Sequence, residues 1–275
     1  EKVEGPAKWA SPLVVVPKPN GDIHLCTDMR RANDAIIREK FSIPTVNDIL
    51  HEMNGSTVFS KLDLKWGYHQ LELDEESRDI TTTVTHKGHY RYTRLIFGMN
   101  NASEYYQYHI GDAIRNCSGA RNISDDIIVY GKDKAEHDAR QEKLLHTLQE
   151  KNLTLNPEKC NFRMAQITFM GYLLSEQGII PTDTKVEAVQ NARRPESASE
   201  VRSFLGLVNF SARFIPDLST TAEPLRQLTR KDVKFEWKGV HEKSFNRLKT
   251  QLASADTLAY FDKNAKTRLL QMPAL

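Results

Sequence analysis

The stretch Asn122-Ile123-Ser124-Asp125-Asp126-Ile127-Ile128-Val129-Tyr130 sets two adjacent aspartates between short runs of strand-forming residues. A third aspartate, Asp63, lies upstream in Phe59-Ser60-Lys61-Leu62-Asp63-Leu64-Lys65-Trp66-Gly67-Tyr68, again beside apolar, strand-forming residues. Taken alone, an Asp-Asp pair is most often a polar hairpin turn. Here β-runs flank the pair and a similar acidic run precedes it. Three carboxylates gathered at strand ends would repel one another, so the arrangement calls for a hard cation. Mg²⁺ takes oxygen ligands and is usually held by one or two carboxylates together with substrate phosphates. The pattern is the outline of a two-metal phosphoryl-transfer site.

Working outward, the chain has 275 residues, enough for two or three subdomains. Hydrophobic residues make up 39% and charged residues 27%, which fits a soluble globular protein and excludes a disordered one. The formal net charge of +2 argues neither for nor against a nucleic-acid partner, because an acidic centre offsets a basic surface. Arg193, Arg194, Arg202, Arg213, Arg226, Arg230 and Lys231 fall in one later stretch. Singly these residues read as a solvated helical face; as a group they suit a phosphate backbone. Three cysteines, Cys26, Cys117 and Cys160, with no C-x-x-C pair, suggest neither a disulfide framework nor a zinc site. A reducing compartment follows. There is no apolar run of membrane-spanning length and no secretory leader, so neither a membrane nor a secreted location is expected. The chain starts at Glu1 and reads as a piece of a longer product.

Along the chain, residues 13–18 and 23–28 read as strands around Asn20-Gly21, a hairpin signal. A short helix is expected over 46–53, a strand over 58–63, and a second hairpin over 80–85 and 90–95. Residues 103–115 read as a helix with Ser103 at its N-cap. Residues 122–130 read as two strands folded about the Asp pair. Residues 135–151 form an amphipathic helix with Leu144, Leu145 and Leu148 inward. Residues 167–174 and 178–180 make a small β element. After Pro181 the texture turns helical, over 185–192, 197–209, 218–228 and 240–252. Ser197-Ala198-Ser199-Glu200 is a capping box, and Phe245, Leu248 and Leu252 share one face. The fold class is α+β.

Several motifs occur in a fixed order. They are Trp9-Ala10-Ser11-Pro12-Leu13-Val14-Val15-Val16-Pro17-Lys18, Asp28-Met29-Arg30-Arg31-Ala32-Asn33 and Leu62-Asp63-Leu64 with Gly67-Tyr68-His69-Gln70. Phe97-Gly98 with Ala102, the Asp pair, Phe169-Met170-Gly171-Tyr172 and Val201-Arg202-Ser203-Phe204-Leu205-Gly206 follow. Together they resemble the reverse transcriptase of Ty3/gypsy-type LTR retrotransposons, over nearly the whole chain.

The resemblance implies a right-hand polymerase fold with an antiparallel palm sheet and a mainly helical thumb and connection. Fingers and palm would span 1–180, the thumb 181–230, and a connection 231–275. It implies an RNA-directed DNA polymerase that joins a dNTP to a primer 3′-hydroxyl on an RNA or DNA template. Asp63, Asp125 and Asp126 would be both catalytic and metal-binding, for two Mg²⁺ ions or Mn²⁺ in their place. Tyr68 would be the steric gate against the ribose 2′-hydroxyl. Lys18, His24, Leu64, Phe97 and Gly98 would line the nucleotide site. Met170, Gly171 and Tyr172 would form the primer grip. The location implied is a retrotransposon particle in the cytoplasm or the nucleus. A metal-dependent phosphohydrolase unrelated to polymerases would leave the fingers and thumb motifs unexplained.

Four positions depart from the family pattern. Ile123 replaces the tyrosine ahead of the Asp pair, and Ser103 replaces a proline. Thr83 stands where an aromatic is expected, at a cost in core packing. His24 stands where a fingers arginine grips the triphosphate; histidine is mostly neutral near pH 7 and offers no bidentate fork, so weaker nucleotide binding is expected. The tail Gln271-Met272-Pro273-Ala274-Leu275 matches one possible encoding of the family's Ala-Asp-Ala-Ser-Pro-Val stretch read one base out of frame, so a frameshift is expected there, with a chance tail or an altered splice as the alternatives; on either account the ribonuclease H domain is expected to be missing. These departures define the alternative reading, a catalytically inactive relic that retains only nucleic-acid binding.

Overall fold

A computed structural model describes residues 1–17, 21 and 23–260. Lys18, the His24 side chain and residues 271–275 lie outside the described residues. Strands β1 (Leu13–Pro17) and β2 (Ile23–Thr27) pair antiparallel, with Leu13 opposite Thr27. Helices α1 (Arg30–Asn33) and α2 (Val46–Leu50) follow. The second is opened by a reciprocal cap: Thr45 Oγ1 accepts from the Asp48 N–H, and the Asp48 carboxylate takes the Thr45 N–H at 2.8 Å.

Next come β3 (Val58–Asp63), α3 (Glu75–Arg78) and the hairpin β4 (Thr83–Thr85) with β5 (Gly88–Tyr90). This hairpin is shorter than its sequence suggests. The Thr81 and Thr82 hydroxyls donate to the Arg78 and Asp79 carbonyls, each at 2.6 Å, and hold residues 79–81 in a 3₁₀ turn instead of a ladder. Thr83 is buried, and its hydroxyl donates to the Tyr90 carbonyl at 3.2 Å. Its polar atom is therefore satisfied, so burying the hydroxyl costs little.

Helix α4 (Ala102–Ala113), β6 (Ala120–Ile123), β7 (Asp126–Gly131), α5 (Lys134–Glu150) and β8 (Asn161–Met164) complete the first unit. Its four-stranded antiparallel sheet has the order β6-β7-β3-β8. Side chains alternate across a strand, so Leu62, Ile127 and Val129 meet Tyr106 and Ile110 of α4 and Leu144 and Leu148 of α5 in one core. Lys61, Asp63 and Asp126 fall on the opposite face. Leu145 is half-exposed rather than inward, because it is rotated about 100° from Leu144 around the helix. The N-cap of α4 is Asn101, so Ser103 lies inside the helix and does not cap it. Strand β8 has no sequence signal: all four residues are exposed, as on an edge strand.

Among the described residues the second unit comprises residues 53–57 and 165–260, a division ahead of Pro181 where the texture changes. It opens with the antiparallel sheet β9 (Gln166–Phe169), β10 (Tyr172–Ser175) and β11 (Gly178–Pro181). Four helices follow: α6 (Asp183–Gln190), α7 (Ala198–Phe210), α8 (Leu218–Gln227) and α9 (Gly239–Ala253). Ser197 caps α7 by accepting from the Glu200 N–H at 3.2 Å. Phe245, Leu248 and Leu252 of α9 are all buried, with the Phe245 ring 4.6 Å from that of Phe204 on α7.

Candidate active site

In the register of β3 and β7, Asp63 lies directly opposite Asp126. Two carboxylates therefore face each other across an antiparallel pair at the strand ends. Asp125 sits in the β6–β7 turn, and its carbonyl accepts from the Leu64 N–H at 2.9 Å, tying the turn to the strand that carries Asp63. Leu64 is buried and contributes this backbone contact. The charge is partly balanced from within the chain. Lys61 Nζ is 3.1 Å from Asp126, and Lys159 Nζ is 3.5 Å from Asp63. Burial pushes the Asp126 carboxyl up; Lys61 opposes this, and the charges of Asp125 and Asp63 add to it. Among the described residues, no three acidic, histidine or cysteine groups converge closely enough to share one ion. Asp63 and Asp126 are each drawn to a lysine.

The turn is held in an uncommon conformation. Ser124 has φ +54°, the left-handed region that costs a non-glycine residue about a kcal/mol or more. Gln107 of α4 stabilises it from below. Its side-chain carbonyl accepts from the Ser124 N–H at 2.7 Å, and its amide donates to the Asn122 carbonyl at 3.1 Å. Neither Gln107 nor the two lysines stands out in the sequence. The one available signal for Gln107 is a polar residue at a core-facing helical position, one turn from Ile110 on the same face. Tyr106 packs in the same core with its hydroxyl buried, and burial pushes its ionisation up, with Asp125 adding to the effect.

Tyr68, Phe97 and Gly98 come together. The Tyr68 ring is 4.7 Å from Phe97 and 5.2 Å from Tyr106, and its hydroxyl lies 3.1 Å from Ser103 Oγ. Gly98 has φ +94°, a conformation open to glycine at little cost. Asn33 joins two sequence motifs here: its amide donates to the Gly98 carbonyl at 2.9 Å, and its Oδ1 accepts from the Asn100 N–H at 2.9 Å. His137 is fully buried with its Nε2 2.9 Å from Ser60 Oγ.

In the second unit, Met170 and Gly171 form the β9–β10 turn with φ +49° and +80°. A Cβ on Gly171 would come within 2.7 Å of the Phe210 ring. The Tyr172 ring stacks on Phe210 at 5.4 Å, with Arg213 over Tyr172 and Lys185 over Phe210.

The reverse transcriptase (RNA-dependent DNA polymerase) family profile matches residues 16–174, more than half of the chain, including all three aspartates and the turn. The chain belongs to the reverse transcriptase family. Curated relatives are transposon polyproteins. The retrovirus-related Pol polyprotein from transposon 412 of Drosophila melanogaster is 37% identical over 93% of this chain. The transposon Tf2-3 polyprotein of Schizosaccharomyces pombe is 30% identical over 97%. The chain spans about a fifth of the length of these relatives: 21% of the first and 20% of the second. Among solved structures, the foamy viral protease-reverse transcriptase in complex with double-stranded DNA superposes with a TM-score of 0.86 at 25% identity, covering 95% of this chain and 47% of that one. The same viral enzyme with an RNA/DNA hybrid gives 0.82 at 24% identity, over 95% of this chain and 36% of that one. The fold is that of a reverse transcriptase.

Catalysis in the reverse transcriptase family depends on divalent metal, and the donors here suit one. Asp63, Asp125 and Asp126 are hard oxygen ligands. Asp126 is partly buried beside two further carboxylates, and two lysines do not neutralise all three.

Proposed function

We propose that the chain is the polymerase segment of a retrotransposon, an RNA-directed DNA polymerase that extends a primer with dNTPs on an RNA or DNA template. The observation that carries this reading is the cross-strand Asp63–Asp126 pair with Asp125 in the adjoining turn, on a reverse transcriptase fold. Asp63, Asp125 and Asp126 would hold two Mg²⁺ ions, which supply charge neutralisation and a more acidic primer 3′-hydroxyl. Phosphoryl transfer asks the protein mainly for positioning and charge stabilisation. Gln107 and the Leu64 N–H fix the turn that carries Asp125. Tyr68, braced by Phe97 and Tyr106, presents a ring against the sugar and selects for deoxyribose. Gly98 lets the backbone approach the nucleotide, with Lys18 and His24 as its fingers contacts. Met170, Gly171 and Tyr172 seat the primer end, stiffened by the Phe210 stack.

The relatives are transposon polyproteins, one of them retrovirus-related, and the viral structures hold double-stranded DNA or an RNA/DNA hybrid. Among the described residues no helix is long and apolar enough to cross a membrane. We place the protein in the element's particle, in the cytoplasm or the nucleus. Primer extension on poly(rA)/oligo(dT) with Mg²⁺ tests the reading. Incorporation of dTTP and not of the other three dNTPs is expected; incorporation that ignores the template would overturn it.

A further inference from the structure

Lys61 pairs with one member of the carboxylate cluster, Asp126, yet a two-metal phosphoryl-transfer site has no evident use for an extra cation. Its position follows from the strand. Lys61 and Asp63 are two residues apart on β3 and so share a face, and Lys61 stands opposite Ile128 while Asp63 stands opposite Asp126. Asp126 is then the diagonal cross-strand neighbour of Lys61, within reach of a long side chain. The two meet at 3.1 Å with side chains only 23% and 20% exposed. The other lysine of the cluster, Lys159, is 65% exposed and reaches Asp63 at 3.5 Å. Water screens that pair far more. Lys61 makes no other ion pair among the described residues.

We infer that Lys61 is the resident counter-cation of the carboxylate site, and that a divalent ion gains Asp126 only by displacing the Lys61 ammonium. The inference rests on the metal-site reading above and adds a cost to metal entry. Without metal, Lys61 keeps two facing carboxylates and a third neighbour from repelling one another, so the strand ends stay paired. With metal, the same ammonium is a like charge beside the ion. Lys61 is thus a positioning residue that makes metal occupancy weaker and metal-free folding stronger.

The test is Mn²⁺ binding, read by electron paramagnetic resonance of the free ion, with metal-free thermal unfolding alongside. Both are measured on the 275-residue chain. Lys61→Met keeps the stem length and removes the charge; it should bind Mn²⁺ about tenfold tighter, in line with the one or more decades by which a neighbouring charge shifts proton affinity. Its metal-free Tm should fall. Lys61→Arg should stay near wild type in both. If wild type binds Mn²⁺ better than Asp125→Asn but folded Lys61→Met binds no tighter than wild type, the inference is wrong and the metal site stands. If wild type binds no better than Asp125→Asn, the metal-site reading itself fails. A second measurement needs no variant: acetylation of Lys61 in wild type, followed by mass spectrometry, should rise severalfold on adding Mn²⁺ while Lys8 does not change. Unchanged Lys61 labelling in a chain that binds Mn²⁺ would also overturn the inference.

Discussion

Strands β3 and β7 and strands β1 and β2 belong to the same unit, are similar in length, and are comparably apolar, but they live in opposite environments. Leu62, Ile127, Ile128 and Val129 are wholly buried under two helices or in the sheet's other face. Val15 and Ile23 in the β1–β2 ribbon are 54% and 60% exposed, and Val14, Val16 and Leu25 are similarly open. One pair carries Asp63 and Asp126 on a buried, helix-backed support; the other is, over its described residues, a two-stranded ribbon with largely open side chains, a structure of low intrinsic stability. On the proposed function, chemistry would rest on preorganised geometry, and nucleotide delivery on a ribbon that substrate must help to fix.

The most forceful way to break this contrast is to shave a methyl-rich side chain from each region. Leu62→Ala should cost about 2–5 kcal/mol in denaturant unfolding, as for other buried leucines. Val15→Ala should stay within about 0.5 kcal/mol. Equal losses would mean that the ribbon is as firmly packed as the sheet. Next in size, Gln107→Ala removes both bonds that hold the β6–β7 turn. Displacing Asp125 by a fraction of an ångström should lower the extension rate by about tenfold to a hundredfold with KM for dNTP little changed. A change confined to KM would assign Gln107 to the nucleotide instead. On the ribbon side, His24→Arg supplies a bidentate phosphate donor. KM for dNTP should fall severalfold with kcat nearly constant; an unmoved KM would remove His24 from the nucleotide path.

The smallest effect lies in the second unit. His241 is buried, and its Nδ1 accepts from the Lys238 N–H at 2.8 Å, which requires the neutral ring. Burial, with Lys238 adding, holds its pKa below the ordinary histidine value. The unfolded chain therefore takes up the proton first. The stability His241 contributes is complete above about pH 6.5 and is lost as pH falls through its folded pKa. Melting curves from pH 7.5 to 5 should show a modest acid loss that His241→Gln reduces.

The contrast also explains what could be read in advance. Strands 58–63 and 126–131 are short apolar runs with an aspartate at one end, and are legible for that reason. After Pro181, α7 announces itself through the Ser197 cap and α9 through a 3.6-residue apolar face. Strand β8 escapes because an exposed edge strand needs no hydrophobic pattern. The left-handed Ser124 and its Gln107 support escape because the contact spans 17 positions and depends on tertiary packing. Likewise Lys61 reads as an ordinary strand lysine until the register places Asp126 diagonally across from it.

The most direct measurement is Mg²⁺-dependent primer extension by the wild-type chain beside Asp125→Ala, with circular dichroism and Tm recorded for both. The account predicts template-directed extension by wild type. It predicts a loss of about a thousandfold or more in Asp125→Ala, with the fold retained because Asp125 contributes its backbone carbonyl, and not its side chain, to the contact with β3. A folded wild-type chain that extends no better than Asp125→Ala would contradict it, and would leave a reverse transcriptase fold that binds nucleic acid without copying it.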